Sequence, residues 1–217
     1  MVQTNGSVSE YIHVEKPDQE AVPSRQFDIS KIDFDLLSRE FAYTRRKNLL
    51  LRDLDELVNQ QLSKMLFANP QRIDYYDRYQ EIIDAYNAEQ NRATIEKTFM
   101  DLMELASSLD TEQQRYVREG FSSDEELSVY DLLFSENLTK QEIETIKKVS
   151  VDLLTKIKQQ IAKLDHWTDK QETKAIVDNL IRNTLWQELP NSYDVSDIQT
   201  YQKKIYEYVY MRYPEVA

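Results

Sequence analysis

Asn69-Pro70-Gln71-Arg72-Ile73-Asp74-Tyr75-Tyr76-Asp77-Arg78-Tyr79-Gln80-Glu81-Ile82-Ile83-Asp84-Ala85-Tyr86-Asn87 joins a helix stop to a helix start. The residue before a proline is biased out of the helical region, and proline itself suits a first turn, so Asn69-Pro70 closes one helix and introduces another. Ile73, Tyr76, Tyr79, Ile83 and Tyr86 recur at three- and four-residue steps and share one face. Asp74, Asp77, Arg78, Glu81 and Asp84 point away from it. An aromatic-aliphatic stripe of this kind has to be buried, so the stretch specifies helix packed on helix.

Composition extends that reading to the whole chain. The 217 residues include only two glycines and five prolines, whereas sandwiches and barrels need many turn residues. The expected class is all-α, a multi-helix array in one or two lobes with an irregular N-terminal lead. No run of 18 apolar residues and no charged-then-apolar leader is seen, so neither a membrane span nor a secretory signal is expected, and the expected compartment is cytoplasmic. Cysteine is absent, which excludes disulfide scaffolds, thiolate zinc sites and cysteine nucleophiles. A formal net charge of -12 opposes broad, non-specific binding to phosphate backbones while leaving room for local basic patches.

In chain order, residues 1–26 read as a linker or tail, polar and acidic, with one short segment, Tyr11-Ile12-His13-Val14, suited to an extended strand. Such a lead before a helical array is what a cut through a larger protein leaves, so a fragment is expected. Residues 27–91 form a helical linker lobe and residues 92–217 a C-terminal helical domain. In the first, Asp33 opens a helix carrying Phe34, Leu37 and Phe41, and Leu50 to Leu66 mark an amphipathic helix ending at Asn69-Pro70. In the second, Ala93 to Leu109 is helical, and a short helix with Tyr116 and Val117 stops at Gly120, a natural left-handed cap. Capping-box spacing then recurs at Ser123/Glu126, Thr139/Glu142, Thr168/Gln171 and Ser196/Gln199. The helices they open carry Leu127, Tyr130, Leu133 and Phe134; Ile146, Leu153, Ile157 and Ile161; Ile176, Leu180, Ile181 and Leu185; and Ile198, Tyr201, Ile205 and Tyr208. The Thr139 helix spans roughly 35 Å at 1.5 Å per residue and would serve as a spine.

Catalytic signatures are missing: the chain has no glycine-rich phosphate loop, HExxH, GxSxG or EF-hand run. No catalytic, cofactor-binding or metal residue is therefore assigned. Glu10 and His13 have the i, i+3 spacing of di-iron bundles but supply only half a ligand set. His166-Trp167 reads as a packed corner. The pairs Asp53/Glu56 and Glu125/Glu126 are explained by helix dipoles without a magnesium ion. Arg39, Arg45, Arg46, Lys47 and Arg52 form the one dense basic cluster, a contact for DNA or an acidic partner, or else a solvated loop. Tyr206, Tyr210 and Tyr213 lie roughly opposite Ile198, Tyr201, Ile205 and Tyr208, so the last helix is central in a core or half of a protein interface.

Asn69-Pro70-Gln71-Arg72-Ile73-Asp74-Tyr75-Tyr76, Tyr79-Gln80-Glu81-Ile82-Ile83 and Tyr86-Asn87 closely resemble the helical region of the R, or motor and restriction, subunit of type I restriction-modification enzymes. Glu125-Glu126-Leu127 with Tyr130-Asp131-Leu132-Leu133, Trp167-Thr168, Leu180-Ile181, Leu185-Trp186 and Leu189-Pro190 are similar to its C-terminal helical domain, in the same order. The resemblance runs from about Phe27 to the end and rests on collinearity. It implies an ATP-driven DNA translocase and endonuclease whose catalytic motifs lie in other domains. For this chain it implies a helical assembly module that supports the motor and docks it on the methyltransferase and specificity subunits. ATP and magnesium are then expected for the full-length subunit and no cofactor for this stretch, with duplex DNA met through the whole complex. A direct grip on translocating duplex through the basic loop, or an unrelated protein-interaction domain, is the alternative.

Overall fold

A computed structural model describes residues 33–89 and 91–214. The Tyr11 to Val14 segment, with Glu10 and His13, lies outside these residues. Among the described residues the chain is helical without a strand, as its composition predicts. The helices are α1 (Phe34–Tyr43), α2 (Lys47–Ala68), α3 (Ile73–Ala88), α4 (Arg92–Gln113), α5 (Arg115–Arg118), α6 (Asp124–Leu133), α7 (Lys140–Ile161), α8 (Gln171–Glu188) and α9 (Val195–Arg212), with a 3-10 turn at Pro70–Arg72. They group into two compact units, one drawn from the described residues of 33–66 and 72–112, the other from 67–71 and 113–214.

In the first unit the α3 stripe is buried as its period requires: Tyr76, Tyr79, Ile83 and Tyr86 pack with Leu54, Val58 and Leu62 of α2 and with Phe99, Leu102 and Leu105 of α4. Ile73 departs from the expectation. As the first residue of α3 it is 52% exposed, because the core covers only the later turns. Arg72, one residue earlier, is buried instead and donates to Glu112 at 3.0 Å. Helix α1 starts where Asp33 accepts from the Leu36 amide at 2.9 Å, and it seats Phe41 against Phe99 with ring centres 3.6 Å apart.

In the second unit four helices close a ring: α6 on α7, α7 on α8, α8 on α9, and α9 back on α6. Helix α7, 22 residues long and so about 33 Å, is the expected spine, burying Ile146, Val149, Leu153, Ile157 and Ile161. Two stripes each lose one expected residue. Val177, not Ile176, enters the core from α8, and Phe134, beyond the last turn of α6, is 42% exposed. The short α5 ends in two reverse-turn bonds, Phe121 N–H to Tyr116 O at 2.8 Å and Gly120 N–H to Val117 O at 3.1 Å. Gly120 sits at φ 84 between them, the left-handed cap its position predicts.

The four expected caps divide evenly. Thr139 and Glu142 form the full reciprocal box, and Ser123 accepts from the Glu126 amide while Glu126 reaches the Ser122 amide. Thr168 and Ser196 do not cap. Lys170 precedes α8 without a side-chain cap bond, and the Thr168 hydroxyl turns to the Pro214 carbonyl at 3.3 Å. Asp194 caps α9, with Asp197 completing the box. Aspartate is as strong a cap as serine and comes two residues sooner, so Ser196 falls inside the first turn.

Candidate functional site

Helix α1 stops because Thr44 is extended, and its hydroxyl accepts from the Arg46 amide at 3.1 Å. This tight link carries the chain straight into α2 at Lys47. Thr44, Arg45, Arg46, Lys47, Asn48 and Leu49, joined by Arg92 from the start of α4, line an open depression of about 580 Å³. The structure thus brings together Arg45, Arg46 and Lys47 of the expected cluster. Arg39 and Arg52 are exposed on α1 and α2 and do not line it.

The cations around the depression are in different electrostatic states. The Lys47 ammonium is held by Glu96 at 2.9 Å and lies 4.6 Å from the centre of the Phe41 ring. Arg92 Nε reaches the same Glu96 oxygen at 3.2 Å. Hydrogen bonds from Lys47 and then Arg92 keep the Glu96 carboxyl below its ordinary range. Arg45 and Arg46 are exposed and make no ion pair among the described residues. Arg92 is the member that sequence reasoning does not find: it lies far along the chain from Arg46, and only the packing of α4 brings it to the rim.

The tyrosine trio faces its own unit. Tyr206 and Tyr210 meet the buried Trp167 edge to face, at 6.2 and 5.7 Å between ring centres. The Tyr213 carbonyl accepts from Trp167 Nε1 at 2.6 Å. Burial, then Tyr208 and Glu125, push the Tyr213 phenol well above its ordinary value. Tyr210 stays 39% exposed at the edge of this cluster. At the His166-Trp167 corner Trp167 is buried, while His166 takes a left-handed turn, φ 44, with its side chain largely exposed.

Glu56, Glu125 and Glu126, candidates for metal binding in the sequence, have structural partners, while Asp53 is exposed on α2. Burial opposes the charge of Glu125, yet Lys158 and Arg212 keep its carboxyl below the ordinary range. Glu126 is taken by the start of α6, and Glu56 accepts from Gln60 at 3.2 Å. Among the described residues no three His, Cys, Asp or Glu side chains converge as a metal site. The depression offers hydrogen-bond donors and positive charge, an arrangement suited to an anion.

Residues 20–213 match the family described as type I restriction enzyme HindI endonuclease subunit-like, C-terminal. No curated protein and no solved structure matches the chain. No helix among the described residues is long and apolar enough to cross a membrane. With the match covering nearly its whole length, the chain belongs to this family, the C-terminal region of a type I restriction enzyme endonuclease subunit.

Proposed function

We propose that this chain is a non-catalytic helical assembly module that supports an ATP-dependent DNA translocase and endonuclease and docks it on the modification and specificity subunits. The observation that carries the reading is the family match to the C-terminal region of an endonuclease subunit over residues 20–213. ATP, magnesium and bond breaking belong, in this reading, to other parts of that subunit, and duplex DNA is reached through the assembled complex in the cytoplasm. The commitment of Glu125, Glu126 and Glu96 to structural pairs is consistent with it.

The second unit offers the docking material. Trp186, Ile176, Val195, Tyr210 and Met211 are large apolar or aromatic side chains left substantially exposed on α8 and α9. Aromatic and methionine side chains are the types enriched at protein interfaces. Tyr206, stacked on Tyr210, and Tyr213, packed on Tyr208, are half-buried and would hold that surface in shape rather than touch the partner widely. Mixed with the modification complex at low salt, the chain is expected to co-elute from a sizing column, and Trp186→Ala with Tyr210→Ala to weaken that co-elution. Reproducible separate elution of the unmodified chain would sink the docking reading.

A further inference from the structure

We propose that the depression formed by Thr44 to Leu49 and Arg92 is a phosphate-backbone site that grips duplex nucleic acid without regard to sequence, through Arg45, Arg46 and Arg92. From Phe41 to Arg52 the chain carries Arg45, Arg46, Lys47 and Arg52 and no acidic residue, within a protein of net charge -12. Elsewhere several cations are held in pairs with acids: Arg72 with Glu112, Arg78 with Glu104, Lys147 with Glu119, Lys156 with Asp152 and Glu188. Around the depression stand four cations, Arg45, Arg46, Lys47 and Arg92, and Glu96 pairs with only two of them, Lys47 and Arg92. Lys47 spends its charge on Glu96, so it positions the wall rather than binding. Arg92 gives only Nε to Glu96 and keeps its side chain 84% exposed.

The lining selects the ligand class. Arginine forks with neighbouring Thr and Asn side chains are the donor set that binds phosphodiester oxygens, and Thr44 and Asn48 stand beside the arginines here. A protein hot spot would want a buried apolar pocket, and Leu49 is the one apolar side chain in the lining. No aromatic ring lines the depression for a base to stack on, which favours a duplex backbone over a single strand. Tyr43, 89% exposed just before Thr44, is the side chain that a single strand would use. The site is independent of the docking surface on α8 and α9.

The test is fluorescence anisotropy of a short labelled duplex of arbitrary sequence, titrated with the full chain over a range of salt. Binding is expected at low salt, in the range of about 10⁻⁴ to 10⁻⁶ M typical of sequence-independent contacts. Arg45→Glu with Arg46→Glu should weaken it at least about tenfold and reduce the slope of log affinity against log salt by about 2. Arg45→Lys with Arg46→Lys should keep the slope, and Arg92→Glu should lower it by about 1. Lys148→Glu with Lys163→Glu, the same charge change on exposed positions of the second unit, should leave affinity and slope near those of the unmodified chain. No binding at low salt, or an equal loss in both charge-reversed doubles, would remove the site. Displacement of the duplex by polyglutamate at lower charge concentration than by unlabelled duplex would overturn it in favour of an acidic protein. Tighter binding of a single strand, lost in Tyr43→Ala, would likewise overturn the duplex assignment. Co-elution of the Arg45/Arg46 double with the modification complex reports on docking separately.

Discussion

Arg72 and Glu112 lie 40 residues apart in sequence and meet in the interior of the first unit, with side chains 4% and 8% exposed. Removing one member of such a pair strands a buried charge at a cost of about 3–5 kcal/mol, while an apolar pair of similar volume is often neutral or better. Urea unfolding of Arg72→Met should show a loss of that order, and Arg72→Met with Glu112→Leu should recover most of it. The sequence could not reveal this pair, because an arginine in a turn and a glutamate near a helix end each have an ordinary solvated reading. Asp55 beneath Tyr79 was hidden for the same reason. Its carboxylate accepts from the Tyr79 hydroxyl at 2.7 Å, but burial outweighs that bond and raises its pKa above 3.8. The folded state therefore holds the Asp55 proton to higher pH than the unfolded state does. This contribution to stability is present below the unfolded pKa and is lost as pH rises through the folded one. Asp55→Asn should flatten that decline in a pH series of melting temperatures. Tyr79→Phe, which strips the carboxylate of its donor, should cost about 1–3 kcal/mol at neutral pH.

Helix starts show how far local signals reach at the scale of elements. Thr139→Ala and Asp194→Ala each remove a cap oxygen and should cost about 1 kcal/mol, whereas Thr168→Ala and Ser196→Ala should stay within about 0.5 kcal/mol. Thermal unfolding of the four single variants decides this, and a large loss at Ser196 would contradict the observed start of α9. The spacing S/T-x-x-E/Q finds candidate caps, but Asp194 and Ser196 compete for one helix start, and the winner depends on how the chain arrives from Tyr193, whose hydroxyl is tied to the Leu133 carbonyl at 2.7 Å. Stripes were more legible than starts. Tyr76, Tyr79, Ile83 and Tyr86 follow from period alone, whereas Ile73, Ile176 and Phe134 lie at the margin of a face, where only the neighbouring helix decides burial. The candidate site was legible in part on the same grounds. Arg45 and Arg46 stand out in the sequence, but Arg92 joins them only through packing.

At the scale of the whole molecule, the helix stop at Asn69-Pro70 does more than end α2. Ala68 O accepts from the Ser128 hydroxyl at 2.9 Å, the Asn69 amide donates to Asp131 at 2.6 Å, and Arg212 lies 4.7 Å from the centre of the Phe67 ring. Residues 67–71 therefore belong with α6 and α9 rather than with the helices on either side of them in sequence. Asn69→Ala leaves Asp131 with Arg115 but without its amide donor, at a cost of about 1–3 kcal/mol. Hydrogen exchange should speed up in α6 while the amides of α3 keep their protection. Equal acceleration in both would mean that the two units do not open separately.

Both indoles of the chain, Trp167 and Trp186, reside in the second unit, the first 1% exposed and the second 49%. Intrinsic emission excited at the red edge of the protein band is thus blind to the first unit and reports on the second through one shielded and one solvated fluorophore. Acrylamide should extinguish the light in two stages, the red-shifted component first. If α8 is what the neighbouring subunit covers, adding that subunit should protect the accessible component while leaving the shielded one as it was.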